Sequence, residues 1–477
     1  MPLIKHSLQY VLARGIPAGI NFAALAVYTR MLTPAEYGAY ALAIVGVTLG
    51  NALFFQWLHV SVIRYWAREQ AHSGRFMSTL AFGFAASALP LALLAGLAAG
   101  LLADAELVGL VVPVLVLTWI WGFMELNLAL RNAQGAPTAY GLLSTARSAL
   151  SLAIGASLAY VYGGAISPLL GWSLGIALAL AFLSTRMWRT VRLADVDRLL
   201  LRKLLRYGLP LTASLLLTLV VSTTDRVLLA VLDGPSDAGL YAAGYDLAHQ
   251  AQTVLMMIVA LAAYPLAVRT LEQDGPAAAQ HELARYAELL LAIAAPAATG
   301  LALLAAPIGQ VVLGQSFSGV AVALIPIIAF ASMAAGLKAY YFDLAFQLGQ
   351  RTLEQVWVLL VTAGVNLVLN LVLIPDYGVQ GAALATLLSY VAGLLLSAAY
   401  GRRYFVLPIP LAGFSKVVAA CAAMALVLWP LRAGGGPGQL AAAIFAGATC
   451  YLAAALLLDT CGSRSALLRY HNARERS

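Results

Sequence analysis

The chain has 477 residues, 62% hydrophobic and only 10% charged, where a soluble domain carries about 25%, so a water-soluble globular fold is excluded. Its apolar runs are continuous over about 20 residues, enough for a helix to cross a bilayer and twice the length of a barrel strand, which excludes a transmembrane β-barrel. The net charge of +8, from 28 Lys and Arg against 20 Asp and Glu, reports topology first in such a protein and gives no reason to expect nucleic acid.

In chain order, the first span covers 8–31. Lys5 precedes it, but Pro17, Gly19 and Asn21 interrupt the apolar run, so it reads as a first span and not a cleaved signal. Further spans follow at 39–64, 77–102, 107–130, 137–161 and 167–187, completing a first set of six. The stretch 188–206 is basic. Leu193, Val196, Leu199, Leu200 and Leu204 form an apolar stripe against Arg192, Arg198, Arg202 and Lys203, the pattern of an interfacial amphipathic helix drawn to anionic lipid. A second set of six lies at 208–232, 239–267, 284–308, 319–346, 354–374 and 380–401, and two more spans at 409–431 and 438–460. The expected fold is therefore an all-α polytopic membrane protein of about 14 transmembrane helices. Its expected parts are an N-terminal six-helix lobe (1–187), a cytoplasmic linker (188–206), a C-terminal six-helix lobe (207–403), and two extra helices with a tail (404–477).

Lys and Arg gather in alternate connections: Arg68 and Arg75, Arg131, Arg186 to Arg206, Arg269, Arg351, Arg402 and Arg403, and Arg464 to Arg476. The opposite connections are neutral or acidic, with Asp104, Glu106, Asp233, Asp237 and Asp376. By the positive-inside rule both termini are expected in the cytoplasm, of a bacterial inner membrane. No connection is long enough to look catalytic.

An internal repeat supports two lobes. Arg14-Gly15-Ile16-Pro17 echoes Arg206-Tyr207-Gly208-Leu209-Pro210, and Glu36-Tyr37-Gly38-Ala39-Tyr40 echoes Asp237-Ala238-Gly239-Leu240-Tyr241. Gln134-Gly135 and Tyr162-Gly163 find partners in Leu348-Gly349 and Tyr377-Gly378. An even number of spans between copies gives both halves one orientation, a parallel repeat with a substrate path between the lobes.

Charged side chains in spans are costly and face the bundle interior or a cavity. Polar residues share single helical faces in the fifth span (Tyr140, Ser144, Arg147, Ser148, Ser151) and the seventh (Ser214, Thr218, Ser222, Asp225). The same holds in the eighth (Asp246, His249, Gln250, Thr253) and the eleventh (Gln355, Thr362, Asn366, Asn370). One water-accessible cavity accounts for all four stripes; helix-to-helix hydrogen bonding accounts equally well for the neutral residues. Arg147 and Lys338 sit well inside spans. They are either cations placed to meet an anion such as pyrophosphate, or halves of ion pairs with Glu125, Asp343 or Asp246. Arg30 and Arg226 correspond at two span ends, where snorkelling is the alternative. Asp225, Asp246 and His249, together with Glu125, are candidate groups for coupling to protons or sodium.

Other motifs fail. There is no P-loop, no H-E-x-x-H and no Cys/His cluster, so neither ATPase activity nor a cofactor is expected. Cys421, Cys450 and Cys461 read as small apolar fillers. Gly171-Trp172-Ser173-Leu174-Gly175 matches a hydrolase pattern, but within an apolar span it reads as a small-residue packing face, as do Gly96 and Gly100. The chain is not expected to be an enzyme.

The run Tyr28-Thr29-Arg30-Met31-Leu32-Thr33-Pro34-Ala35-Glu36-Tyr37-Gly38-Ala39-Tyr40 resembles the first-loop signature of the polysaccharide-biosynthesis transporters of the multidrug/oligosaccharidyl-lipid/polysaccharide (MOP) flippase superfamily. Thr224-Asp225-Arg226 with Gly239-Leu240-Tyr241-Ala242-Ala243-Gly244-Tyr245, Arg131 through Gly135, and Asp376-Tyr377-Gly378 through Gly381-Ala382 are similar to its later signatures. The resemblance runs from about residue 8 to 400. It implies an O-antigen-flippase-like transporter that moves undecaprenyl-pyrophosphate-linked oligosaccharide from cytoplasmic to periplasmic leaflet by alternating access. Its cavity cations would be Arg30, Arg147, Arg226 and Lys338. Many members have twelve spans, and the extra pair here is similar to the lipid II flippase branch. Two other roles remain open: a cation-coupled drug or metabolite antiporter, or a scaffold for a polysaccharide polymerase or glycosyltransferases. The expected partners are the lipid-linked glycan and membrane lipids.

Overall fold

The computed structural model describes residues 2–101, 105–462 and 464. Asp104, the side chains of Lys5, Glu106 and Ser214, and the basic residues beyond Arg464 lie outside the described residues. Among those described there is no strand, and fourteen α-helices follow one another in order. They are α1 (Pro2–Met31), α2 (Pro34–Glu69), α3 (Ser73–Leu101), α4 (Ala105–Ala133), α5 (Pro137–Tyr162), α6 (Ile166–Leu183) and α7 (Arg198–Leu232). Then come α8 (Pro235–Leu303), α9 (Ala305–Val312), α10 (Val320–Leu337), α11 (Leu344–Leu348), α12 (Thr352–Gly401), α13 (Leu411–Leu431) and α14 (Pro437–Leu457). Two of these are double: α8 breaks at Gly275 and α12 at Gly378. Over the described residues, each of the fourteen expected spans is mainly helical. The physical reason is general: in hydrocarbon a backbone must satisfy its own polar groups, and continuous aliphatic sequence does so only as helix. Multiple helical stretches are long and apolar enough to cross a membrane, among them Thr352–Gly401 with 50 residues, enough for two crossings. This is a multi-pass membrane protein.

Helix starts follow from local chemistry. Thr33 and Glu36 form a capping box at α2: Glu36 donates its N–H to Thr33 Oγ1 at 3.3 Å, and Thr33 N–H donates to Glu36 Oε2 at 2.8 Å. Asp197 caps α7, accepting from Leu199 N–H at 2.8 Å and Leu200 N–H at 3.0 Å. Those bonds, with Arg75 beside it, hold the Asp197 carboxyl below the usual carboxylate range.

The chain divides into two compact units, Met1–Gly239 and Leu240–Ser477. In the first, Phe55 and Leu58 of α2, Phe76 and Leu80 of α3, Leu126 and Leu130 of α4, and Leu200 and Leu204 of α7 form one buried cluster. The basic stretch 188–206 is thus not one interfacial helix. It begins as 3-10 turns at Thr185–Trp188 and Leu193–Asp195, and from Arg198 it is the first turns of α7. Leu200 and Leu204 turn inward, whereas Leu193 and Leu199 stay exposed. Two interactions pin it: Arg192 N–H donates to Ser78 Oγ at 3.0 Å, and Asp197 N–H to Thr79 Oγ1 at 3.1 Å.

In the second unit, α13 through Val417, Cys421, Met424 and Leu428, and α14 through Leu440 and Ala443, form one buried cluster with Leu291 and Leu304 of the second arm of α8 and its end. Tyr451 of α14 donates to the Ala292 carbonyl at 2.6 Å. Cys421 is buried filler in this cluster, and Cys450 and Cys461 are free thiols.

The first unit also holds a reciprocal contact between the two acidic-x-Gly repeats. A Cβ on Gly38 would collide with the Pro235 carbonyl, and a Cβ on Gly239 with the Pro34 carbonyl. Each repeat glycine thus receives the other repeat's proline carbonyl, and no larger residue fits at either place.

Candidate functional site

Lipid gives little solvent-exclusion energy to helix packing, so close backbone approach and hydrogen bonds must hold the helices. That is how the polar stripes of the fifth and eleventh spans are used. On α5, Ser148 and Ser151 are buried, and a Cβ on Gly171 or Gly175 of α6 would strike the backbone of Gly155 or Ser151. Ser173 spends its hydroxyl on the Leu169 carbonyl at 2.9 Å. The hydrolase-like pattern is a packing face. Gly96 and Gly100, expected to act likewise, have no atom within 4 Å of an added Cβ; small size there meets open space.

The eleventh-span stripe packs the two arms of α12. Thr362, Asn366 and Asn370 are buried; Asn366 Nδ2 donates to Ser389 Oγ at 3.2 Å and Asn370 Nδ2 to Asn366 Oδ1 at 3.1 Å. A Cβ on Gly393 would reach Thr362 Oγ1 at 2.6 Å. These residues join helices within one unit.

The in-span charges are different. In the first unit Arg147 Nη1 meets Glu125 Oε1 at 2.9 Å, with the arginine 13% and the glutamate 33% exposed. Trp121 Nε1 also donates to Glu125 Oε1 at 3.2 Å, and Trp121 stacks on Trp172 at 4.8 Å. A small cleft beside the pair is lined by Asn21, Tyr28, Ser148, Ser151 and Trp172 as well as Arg147. Tyr140 lies within the electrostatic reach of Glu125, Arg14 and Arg147. In the same unit His59 Nε2 lies 3.1 Å from the Gly122 carbonyl, one turn from Glu125.

In the second unit Lys338 Nζ meets Asp343 Oδ2 at 2.8 Å and Oδ1 at 3.2 Å, with the two side chains 12% and 4% exposed. Asp343 also accepts from Gln355 Nε2 at 3.1 Å and from Ser397 Oγ at 2.6 Å, so one carboxylate ties α10 to both arms of α12. Residues five apart do not face each other on an α-helix. They meet because Lys338–Phe342 is a π turn, with Asp343 N–H donating to the Lys338 carbonyl at 2.8 Å. Such π turns recur at functional sites. Both candidate cations are therefore held by carboxylates, as the ion-pair reading had it.

A polar column runs along the first arm of α8. Tyr241 hydroxyl lies 2.9 Å from Thr386 Oγ1, and Tyr245 hydroxyl 3.4 Å from that of Tyr390. The His249 ring stacks on Tyr245 at 4.9 Å, with Nδ1 3.0 Å from Ser332 Oγ and Nε2 3.3 Å from Thr253 Oγ1. Asp246, on the same arm, is half-buried. Of the remaining candidates, Asp225 is buried and Arg226 half-buried at adjacent positions on α7. Arg30 is exposed at the end of α1, donating to the Ala26 carbonyl at 2.6 Å, in the manner of a helix-end cation. Among the described residues no group of His, Cys, Asp and Glu is arranged to hold a metal.

Sequence offered Asp343 as a possible ion-pair partner but not as the hub of its network, and it did not single out the Trp121–Trp172 pair beside Glu125, or Tyr245 with Tyr390 beside His249. The aromatic run Lys338-Ala339-Tyr340-Tyr341-Phe342-Asp343 held a signal, opposite charges five apart, but only for a reader who allows a π turn.

A family model described as "polysaccharide biosynthesis protein" matches residues 27–322. No curated protein matches the chain by sequence. Among solved structures, the lipid II flippase MurJ in an inward closed conformation is similar at TM-score 0.77 and 14% identity, covering 95% of this chain and 99% of that one. An inward-facing multidrug resistance MATE family transporter of the MOP superfamily gives TM-score 0.65 and 13% identity, over 83% of this chain and 97% of the other. A MOP superfamily transporter from Pyrococcus furiosus gives TM-score 0.55 and 14% identity, over 84% and 94%. At such identities the likeness shows a shared fold.

Proposed function

Because the chain belongs to the polysaccharide biosynthesis protein family and has the fold of MOP-superfamily transporters, we propose that it flips a lipid-linked oligosaccharide. The substrate is an undecaprenyl-pyrophosphate-linked glycan, taken from the cytoplasmic to the periplasmic leaflet by alternating access of two six-helix lobes, 1–187 and 207–403. Both termini lie in the cytoplasm of the inner membrane.

The observation that carries this reading is the pair of in-span cations, Arg147 and Lys338, one in each unit and each held by a carboxylate. A pyrophosphate brings two phosphate groups that compete for the same donors as Glu125 and Asp343, and Arg offers it a bidentate fork. Exchange of carboxylate for phosphate would let substrate binding release a locked contact, which is what a ligand must do to shift a two-state equilibrium. Arg30 and Arg226 extend the cationic path towards the span ends. The acidic groups Glu125, Asp225 and Asp246, with His249, are the groups through which a proton or sodium gradient would act, and a polysaccharide polymerase or glycosyltransferases would stand next to the protein in the membrane.

The test is deletion of the gene in its host, followed by the leaflet on which lipid-linked oligosaccharide accumulates. Build-up on the cytoplasmic leaflet, rescued by wild type but not by well-expressed Arg147→Ala or Lys338→Ala, is expected. Normal flipping in the deletion strain, with no second flippase present, would sink the reading. The neutralised state of both cations favours a second reading, a cation-coupled antiporter, since a paired carboxylate can serve an incoming cation as well as an anion can serve the arginine. Export of cationic drugs driven by sodium or protons, lost in Glu125→Gln, would promote it.

A further inference from the structure

The first unit contains a cavity of about 600 Å³ that includes neither Arg147 nor Glu125. Its walls are Phe84 of α3, Trp119 and Phe123 of α4, and Leu180 of α6, and its mouth is formed by Trp188 and Arg189 of the turn after α6. The aromatic walls brace one another: Phe84 lies 5.8 Å from Trp119 and 5.2 Å from Phe123, and Phe123 lies 5.0 Å from Trp188. Trp188 Nε1 is fixed on Asn127 Oδ1 at 3.0 Å, and Arg131 Nη2 holds the turn through the Leu183 carbonyl at 2.7 Å and Ser184 Oγ at 3.1 Å. The mouth is therefore built and held in place.

An aliphatic and aromatic space of this size is within the range of ligand pockets. Its apolar walls give water nothing to bond, the lining hydroxyls Ser184 and Thr185 are engaged by Arg131 and by the Ala181 carbonyl, and left empty it forfeits dispersion contacts. At bilayer depth the apolar chain available to fill it is a lipid acyl chain. The rim selects the headgroup. Arg186 and Arg189 are exposed, and among the described residues neither is in ion-pair contact with a carboxylate, while Asp197, the cap of α7, is engaged by Arg75 at 3.1 Å. Exposed Asp195 is a single opposing charge in the same connection. We propose that this cavity is a binding site for an anionic glycerophospholipid of the bilayer, one acyl chain lying among Phe84, Trp119 and Phe123 and the phosphate meeting Arg186 and Arg189. None of Arg30, Arg147, Arg226 and Lys338 lines this cavity, so the proposal does not depend on what the protein moves.

The test uses the full-length protein purified in detergent and native mass spectrometry with phosphatidylglycerol or phosphatidylethanolamine added at equal concentration. Wild type is expected to retain one phosphatidylglycerol and to discriminate against phosphatidylethanolamine. Each surface cation adds about fivefold to anionic-lipid affinity, so Arg186→Ala/Arg189→Ala should weaken phosphatidylglycerol by about 30-fold and leave phosphatidylethanolamine unchanged. Ala181→Phe, on the cavity wall, should lower retention of both lipids. The arginine variant changes an exposed turn and keeps the test alive should Ala181→Phe fail to fold. Equal retention of the two lipids by wild type, or unaltered phosphatidylglycerol retention in the arginine variant or in folded Ala181→Phe, would overturn the proposal. So would one-for-one displacement of phosphatidylglycerol by undecaprenyl phosphate, which would make the cavity a substrate site.

Discussion

Asp343→Ala removes the carboxylate that accepts from Lys338, Gln355 and Ser397. Removing one member of a buried ion pair costs about 3–5 kcal/mol because the other charge is left uncompensated, and Lys338 at 12% exposure has little water to turn to. Lys338→Met should cost less, since Asp343 keeps its two neutral donors. The double variant Lys338→Met/Asp343→Leu leaves no buried charge, and apolar replacement of a whole buried pair is often neutral or stabilising. It should therefore recover about 2–3 kcal/mol of what Asp343→Ala loses, a coupling within the range for contacting residues. Thermal unfolding of the purified protein in detergent, read by size-exclusion chromatography after heating, measures all three. A double variant no more stable than Asp343→Ala would refute the reasoning, because the damage would then come from the π turn or from packing and not from an orphaned charge. Surface glycan in a deletion strain gives the second axis. A double variant that is stable but fails to restore glycan assigns the pair to transport; one that restores it makes the pair structural.

Gly171→Val should destabilise the protein by about 1–3 kcal/mol or more, because its side chain enters the α5 backbone, whereas Gly96→Val, with open space around it, should be neutral in the same heating assay. Tyr451→Phe deletes the 2.6 Å hydrogen bond to Ala292 and should cost about 0.5–1.5 kcal/mol, seen as faster hydrogen exchange along α14. The Asp197 carboxyl is held below its ordinary range by the Leu200 and Leu199 N–H groups and Arg75. Its contribution is thus fully present above the unfolded pKa of about 4 and is lost as pH falls through the lower folded value. Protection of amides at the start of α7 should be flat from neutral pH down to about 5 and fall only in stronger acid, while Asp197→Ala should lack it throughout; loss of protection near pH 6 in wild type would contradict the assignment.

How far the structure was legible depends on what each signal measures. Spans were legible because bilayer crossing is decided by continuous apolar length, a property of sequence alone. The repeat was legible through its turns: Gly163 and Gly378, 215 residues apart, both take the left-handed region, at φ 65° and 53°. The echo of Gln134-Gly135 in Leu348-Gly349 was one residue out of step. The left-handed positions are Gly135, at φ 66°, and Gln350, at φ 56°, again 215 apart. In the second copy a glutamine occupies the strained position, and matching glycine to glycine misaligned the turns. Polar periodicity has a different blind spot. It reports which residues share a helical face, but Asn366 bonded to Ser389 presents the same stripe as a residue facing water. Both satisfy a polar group in hydrocarbon, and only the neighbouring helix decides between them. Charge is less ambiguous, because a lone ion at that depth is untenable and must find a partner or a cavity. Arg147 and Lys338 found partners, Glu125 on another helix and Asp343 five residues on through a π turn. Neither pairing follows from α-helical spacing. Polar stripe residues such as Ser151 against Gly175, and Asn366 on Ser389, hold helices together within their units, and the in-span ion pairs are the contacts a charged ligand could compete for.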